Sequence, residues 1–260
     1  MSTHAVWITL LFPTVSDLDS QYAQDAGRQP TDPVKARVAR AFRLSSLFAQ
    51  VDREVREAVT DAAVLEVVAS DAAIFEQGAP ADTLVVLGRG RARVERVNEA
   101  GAAFPLSYRG TGDVLGESCL GGLETRTERA IAMDEAEVVR VPLALVRELC
   151  AQHPGLGGAV FALLVARQRE TEDRIESMLF KNVGGRLAEF LLHAAERWGV
   201  PTPRGTLISA PITHAEIAQV IGSTRETVTL TLGAFRKEGV LDAAGRRLIV
   251  KDREALARKR

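Results

Sequence analysis

The residue types that most often carry out catalysis are too scattered in this chain to form a catalytic motif. The two cysteines, Cys119 and Cys150, belong to no CxxC or Cys/His cluster, which excludes a four-cysteine iron–sulfur site and a zinc knuckle. No histidine has a Ser, Cys or acidic partner at motif spacing; the histidines are His4, His153, His193 and His214. We therefore expect no enzymatic activity, no metal and no cofactor, and two buried, reduced thiols.

A glycine-rich segment followed by an arginine has the residue types of an anion-binding site. Residues 112–118 read GDVLGES, and residues 126–130 read RTERA. Glycines in a tight turn leave backbone N–H groups free for an anion, and Arg126 can neutralise its charge. Glu117 could accept a hydrogen bond from a sugar hydroxyl. The alternative is that these glycines only form turns and that the arginines lie on an ordinary surface.

A second segment has the pattern of two short helices joined by a tight turn. Thr213 and Glu216 form a capping box that starts the first helix, and Gly222 stands where its end requires a left-handed residue. The core face of the second helix consists of Val228, Leu232 and Phe235. This arrangement is a helix-turn-helix, although a helical hairpin with a solvated charged face is the alternative.

The second helix of this pair begins with side chains that could contact bases. Arginine reads the O6 and N7 atoms of guanine, and glutamate accepts from the N4 of cytosine, so Arg225, Glu226 and Thr229 are candidates. Residues 245–250 (GRRLIV) are predicted to form a β-hairpin wing whose arginines reach phosphates. Residues 211–260 carry ten Lys/Arg and six Asp/Glu, a net charge of +4, while the remainder carries −5. A polyanionic partner is therefore expected for the C-terminal part alone.

The elements that position these segments follow from the pattern of apolar residues and glycines. Short helices are predicted over residues 34–70. From 73 to 142, short apolar runs alternate with glycine turns, which is typical of an antiparallel barrel or jelly roll. Residues 182–185 (NVGG) are predicted to interrupt the helical region as a hinge, and residues 186–198 form an amphipathic helix. The fold class is α+β.

A narrow stripe of mostly apolar residues indicates a dimerisation helix. Its members follow a 3, 4, 3, 4, 3 spacing: Phe161, Leu164, Gln168, Thr171, Ile175 and Met178. This heptad pattern buries one stripe against a partner helix, and the Arg and Glu residues on both flanks favour a two-stranded coiled coil. A helix packed on its own barrel is the alternative. The polar pair Gln168 and Thr171 would either fix the register or face something polar.

Residues 222–228 (GSTRETV) resemble the DNA-binding signature of the CRP/FNR family of bacterial regulators. The match runs from about residue 40 to residue 255, in the family order of barrel, dimer helix and winged helix-turn-helix. It implies a homodimer that binds a palindromic operator in double-stranded DNA, and RNA polymerase as a partner if it activates. The implied DNA-binding residues are Thr213, Ser223, Thr224, Arg225, Glu226, Thr229, Arg246 and Arg247. Leu230 departs from the family, because many members carry a second base-contacting arginine there.

The order Gly-Glu followed by Arg-Thr resembles the phosphate-binding cassette of cyclic-nucleotide-binding domains. The resemblance implies that Glu117 holds the ribose 2′-hydroxyl and that Thr171 reaches the base. The implied ligand-binding residues are Gly116, Glu117, Ser118, Arg126, Thr127 and Thr171. Two carboxylates depart from the pattern, since Glu128 stands near the expected phosphate and Glu172 near the expected base. The resemblance implies cAMP or cGMP as the effector. Because of the two carboxylates, a cyclic dinucleotide and ligand-independent regulation are the alternatives.

Four segments are predicted along the chain. They are a flexible extension at residues 1–33, a sensor barrel with flanking helices at 34–153, a dimerisation helix at 154–182 and a winged helix-turn-helix at 183–260. No apolar run reaches the ~18 residues of a membrane span. The apolar stretch at residues 6–12 lacks the preceding Lys or Arg of a signal peptide. We expect a cytoplasmic protein without a membrane partner.

Overall fold

Two helices precede the barrel in the computed structural model, which describes residues 32–210 and 212–260. The predicted extension therefore lies outside the described residues, apart from its last two. Asp32 accepts a hydrogen bond of 2.8 Å from the Val34 backbone N–H, and Pro33 takes the first helical position, where a missing N–H costs nothing. The two helices are α1 (Pro33–Leu44) and α2 (Arg53–Ala62).

The predicted sensor barrel is built from two antiparallel sheets of four strands. The strands are β1 (Val64–Val68), β2 (Ala73–Phe75), β3 (Thr83–Arg89), β4 (Ala92–Val97), β5 (Ala103–Arg109), β6 (Val114–Leu115), β7 (Arg129–Ala132) and β8 (Ala136–Pro142). Their orders in the two sheets are β1-β8-β3-β6 and β2-β7-β4-β5. Their inward-facing aliphatic side chains, which include Val85, Leu87 and Leu115, form one core, and Leu84 on the other face of β3 packs with the helices. The jelly-roll prediction is confirmed.

The helical prediction for residues 64–68 is wrong, because this segment is strand β1. It pairs with β8, and Leu65 lies opposite Val139. A run of five residues is too short for its periodicity to separate a helix from a strand, so the pairing partner decides.

A bent pair of helices follows the barrel. Helix α3 (Leu143–Gln152) is followed by a single connecting residue, His153, after which the long helix α4 (Pro154–Phe180) begins. Among the described residues, no single helix is long and apolar enough to cross a membrane. The pair α3 and α4 reaches that length and hydropathy only jointly, across a bend of 118°.

The break after α4 lies at Lys181 and Asn182. The Asn182 side chain accepts a hydrogen bond of 2.9 Å from the Gly185 N–H and starts helix α5 (Val183–Trp198). The predicted hinge is therefore corrected: Gly184 and Gly185 belong to the first turn of α5, and only the residues before them connect the two helices.

The C-terminal domain, called the head below, combines helices with a four-stranded sheet. After α5, its elements are β9 (Gly199–Thr202), β10 (Gly205–Ile208), α6 (His214–Ile221), α7 (Arg225–Lys237), β11 (Leu241–Ala244), β12 (Arg247–Val250) and α8 (Arg253–Ala257). The order of the strands in the sheet is β11-β12-β10-β9. The capping box of Thr213 and Glu216 is present, and Gly222 ends α6 with a φ of 61°, as predicted. Strands β11 and β12 form the predicted wing.

Candidate nucleic-acid interface and sensor site

Helix α7 exposes its first turns to solvent and buries the opposite face. Thr224 caps the helix by accepting a hydrogen bond of 3.2 Å from the Thr227 N–H. The core face packs in the head through the predicted residues Val228, Leu232 and Phe235. The side chains of Arg225, Glu226 and Thr229 are exposed, so this end of the helix can enter a DNA groove without unfolding anything.

The other predicted DNA-binding residues lie around α7. Thr213, at the start of α6, is exposed, and Ser223 is half-buried in the turn between the helices. Arg246 and Arg247 are exposed at the tip of the wing, where guanidinium groups can reach phosphates.

His214 is a residue that the sequence reading missed. Its Nδ1 lies 2.8 Å from the Thr229 hydroxyl, and that hydroxyl donates its proton to the Arg225 carbonyl. Burial, together with Arg236 and Arg225, lowers the pKa of His214. His214 is the first residue of α6, the helix that precedes α7, and this position is the sequence signal that could have identified it.

The predicted ligand-binding segments, residues 112–118 and 126–130, are called the cassette below. Its turn at residue 116 accepts only glycine. Gly116 has a φ of 76° and precedes a short 3₁₀ helix, Glu117–Gly121. A Cβ atom on Gly116 would lie 2.0 Å from Nη1 of Arg126. The missing side chain therefore lets the Arg126 guanidinium lie directly against this turn.

Arg126 is a buried cation that lacks an anionic partner in the described part of the chain. It is 3% exposed and donates a hydrogen bond of 2.5 Å to the Thr83 carbonyl. Its guanidinium lies 4.3 Å from the centre of the Phe75 ring. The buried Nε has no hydrogen-bond partner among residues 32–210 and 212–260. An uncompensated buried charge is costly, so this position favours the arrival of an anion.

Glu128 accepts hydrogen bonds from two hydroxyl groups of the same cassette. Its buried carboxylate accepts a hydrogen bond of 2.9 Å from Ser118 and a second one from the Thr127 hydroxyl. Both hydroxyls belong to the predicted ligand-binding residues. In this conformation an internal carboxylate takes the bonds that a phosphate would take.

Glu117 connects the cassette to α4. It accepts a hydrogen bond of 2.6 Å from Nε of Arg167, instead of facing an open ribose site. Thr171 lies one turn further along, exposed, with its hydroxyl donating to the Arg167 carbonyl at 3.0 Å. The structure thus brings Gly116, Ser118, Thr127 and Arg126 together with Glu117 but places Thr171 outside this group.

Arg167 also belongs to an ion-pair network that sequence reasoning did not identify. It lies 3.2 Å from Glu170, which in turn pairs at 2.8 Å with the buried Arg109 of β5. Burial favours the neutral form of Glu170, but Arg109 and Arg167 outweigh it and lower its pKa. Because Arg109 lies on β5, 61 residues before Glu170 of α4, only the folded chain reveals that this arginine joins the network.

The predicted dimerisation stripe is exposed over most of its length in the single chain. Phe161 is 70% exposed, and Leu164 and Ile175 are also exposed. Gln168 donates a hydrogen bond of 2.8 Å to Glu172. The last predicted member, Met178, is half-buried near Gly222 of the head, and the neighbouring Leu179, 71% exposed, continues the exposed stripe.

Comparisons with known proteins place this architecture in a family. A cyclic nucleotide-binding domain model matches residues 65–153, and a Crp-like helix-turn-helix domain model matches residues 185–259. The cAMP-activated global transcriptional regulator CRP of Escherichia coli is 31% identical over 185 residues, 70% of this chain and 86% of the relative. The global nitrogen regulator of Synechocystis is 32% identical over 188 residues, 72% of this chain and 84% of the relative. The chain belongs to the CRP/FNR family of transcription regulators.

Solved structures share this CRP/FNR fold. The FixK2 protein of Bradyrhizobium japonicum aligns with a TM-score of 0.68 at 21% identity, over 75% of this chain and 96% of that one. A CRP-family transcriptional regulator from Thermus thermophilus aligns with a TM-score of 0.63 at 27% identity, over 75% and 95%. The family consists of regulators and not of enzymes, and in the described ranges no three His, Cys, Asp or Glu side chains form a metal site.

The head of this CRP/FNR regulator is docked on its own barrel. Arg93 of β4 donates a hydrogen bond of 2.9 Å to Glu216, the acidic member of the capping box. Arg174 of α4 donates at 3.0 Å to the Val220 carbonyl of α6. The docking uses α6 and leaves the first turns of α7 exposed, so the head can meet DNA in this arrangement.

Proposed function

We propose that the protein is a homodimeric, sequence-specific transcription regulator that binds a palindromic operator in the cytoplasm. The observation that carries the proposal is the exposed start of α7, where Arg225 and Glu226 stand on a capped helix whose other face is buried. Such side chains read bases in the major groove. If the protein activates transcription, RNA polymerase is its further partner.

The dimer is proposed to form along α4. Phe161, Leu164, Ile175 and Leu179 expose large apolar side chains along one helix, and a second copy of the same stripe covers them by two-fold symmetry. Two-fold symmetry then presents two copies of α7 to one side of the DNA. The half-sites are expected one helical turn apart, about 10 base pairs from centre to centre.

For the sensor, a cyclic nucleotide, cAMP or cGMP, is the proposed effector. Arg126 supports an anionic ligand because it is buried, lacks an anionic partner among the described residues and keeps Nε unbonded. The hydroxyls of Ser118 and Thr127, which both donate to Glu128, belong to the same cassette. The matching family domain binds cyclic nucleotides, and the Escherichia coli relative is named as cAMP-activated.

Regulation without a ligand is the second candidate, and Glu128 favours it. Its carboxylate already accepts the bonds of Ser118 and Thr127, and its negative charge lies two residues from Arg126 in the chain. A ligand phosphate would have to displace this carboxylate from both hydroxyls. If displacing this carboxylate costs more free energy than ligand binding provides, the regulator binds DNA constitutively and is controlled by its abundance.

The DNA-binding proposal is tested by selecting binding sequences from randomised double-stranded DNA with the full-length protein. A two-fold symmetric consensus supports the proposal, whereas equal binding to all sequences overturns it. The effector is tested by calorimetry with cAMP, cGMP and a cyclic dinucleotide, followed by operator binding with and without each. Binding of cAMP or cGMP with a change in operator affinity supports the first candidate. No binding of any of them, with constant operator affinity, supports regulation without a ligand.

A further inference from the structure

Leu230 is a large apolar side chain held in solvent on the recognition helix. It is 76% exposed, although it lies in the middle of α7, whose other large apolar residues are buried in the head. At 100° per residue it stands about 200° from both Val228 and Leu232, directly opposite the core face. No packing requirement of the monomer explains leucine at this position.

The neighbours of Leu230 belong to the surface that faces DNA in the proposed function, on which this inference rests. Leu230 is four residues after Glu226, so the two side chains share one helix face. The hydroxyl of Thr229 donates to the Arg225 carbonyl at 2.8 Å and lies against His214, so its proton is not available to a base. The recognition surface thus has a charged first turn and an apolar second turn.

An apolar group in this position has one complement in the major groove. The base edges there present hydrogen-bond donors and acceptors, and the C5-methyl group of thymine is the apolar exception. Four residues of helix advance about 6 Å, or roughly two base-pair steps. We propose that Leu230 reads the methyl group of a thymine about two base pairs from the base contacted by Glu226.

The test uses deoxyuridine, which differs from thymidine only by this methyl group. With the operator selected from randomised DNA, each thymine of the half-site is replaced by deoxyuridine in turn, in both half-sites at once. For one thymine, the affinity of the wild-type protein should fall about fourfold per half-site, the equivalent of one buried methyl group, and about sixteenfold for the dimer. The Leu230→Ala variant should bind the thymine and deoxyuridine operators equally well.

Val200→Ala is the matched control, because it also shortens an exposed apolar side chain in the head but lies on β9, outside α7. It should keep the wild-type discrimination. A further variant, Leu230→Arg, should shift the preference at the same base pair toward guanine. The inference is overturned if deoxyuridine has no effect at any position, or if its effect persists in Leu230→Ala, while the symmetric consensus remains. Loss of the consensus itself overturns the proposed function as well.

Discussion

The carboxylate of Glu128 lies 2.9 Å from the Ser118 hydroxyl and accepts its hydrogen bond. Phosphate oxygens and carboxylate oxygens require the same donors, so the two groups compete for this hydroxyl and for that of Thr127. An anionic effector would therefore have to displace the Glu128 carboxylate from both hydroxyls.

Replacing that side chain should open the site. In Glu128→Ala, Ser118 and Thr127 regain free hydroxyls, and the site loses a negative charge that would repel an anion. We expect the affinity for cAMP or cGMP to increase about tenfold or more, since a charge-assisted hydrogen bond contributes about 1.5–3 kcal/mol. Calorimetry on both proteins measures the difference.

Two further variants control this experiment. Glu124→Ala removes the same charge from an exposed loop residue close in the chain and should leave the affinity unchanged. Arg126→Leu in the Glu128→Ala background should abolish the gain, because the cation that holds the anion is lost. An affinity of Glu128→Ala equal to that of the wild type would contradict the competition.

Arg225 is expected to read a base and not only a phosphate. Arg225→Ala should weaken binding to the selected operator by about 1–3 kcal/mol and relax the preference for one guanine, with little change on random DNA. Fluorescence anisotropy at one fixed salt concentration measures both affinities. Lys237→Ala, at the exposed end of α7, is the control for loss of one positive charge. Equal losses on both DNAs would identify Arg225 as a phosphate contact.

Leu164 should be required for the dimer. In Leu164→Glu, two carboxylates would face each other in the buried stripe, so the protein should sediment as a monomer at micromolar concentration and lose most operator affinity. Ala162→Glu adds the same charge at an exposed position of α4 beside the stripe and should leave the dimer intact. A dimer that survives Leu164→Glu would mean that the interface lies elsewhere.

Glu189 should make the free energy of unfolding depend on pH in the acidic range. Burial favours its neutral form, but bonds from Lys181, Ser177 and Arg260 outweigh this and lower its pKa to about 2. A depressed pKa contributes stability above the unfolded value near 4.5, and this contribution is lost as the pH falls toward 2. Glu189→Gln should therefore reduce the free energy of unfolding at pH 7 by about 2 kcal/mol.

Urea unfolding at a series of pH values measures this effect. The difference between wild type and Glu189→Gln should be constant above about pH 5 and shrink below it. Glu196→Gln breaks an exposed pair with Arg253 and should change stability by less than about 0.5 kcal/mol at any pH. A gap between wild type and Glu189→Gln that does not narrow in acid would show that the contacts act by packing and not by charge.

The head could be predicted from the sequence because its signals are local. The capping box of Thr213 and Glu216, the left-handed Gly222 and the wing turn each depend on residues a few positions apart. The general architecture of the sensor could be predicted for the same reason, from turn glycines and short apolar runs. Strand β1 could not, because its conformation depends on pairing with a strand about 70 residues away.

The internal contacts of the sensor site were beyond the reach of sequence patterns. That Glu117 pairs with Arg167 depends on how α4 lies across the barrel, 50 residues later. The sequence marked Glu128 as unusual but could not indicate which donors its carboxylate accepts. Likewise, Met178 lies near Gly222 of the head while Leu179 is exposed, and the heptad spacing alone does not predict this difference.

The aromatic contact between barrel and head provides an intrinsic optical reporter. The rings of Tyr108 on β5 and Trp198 at the end of α5 meet edge-to-face with centroids 5.9 Å apart, and the buried indole Nε1 has no hydrogen-bond partner among the described residues. Indole emission depends on the polarity around the ring. The chain contains one other tryptophan, Trp7, so a Trp7→Phe variant would emit from Trp198 alone. Any rotation of the head that admits water to this contact would then shift the emission to longer wavelength, without an attached dye.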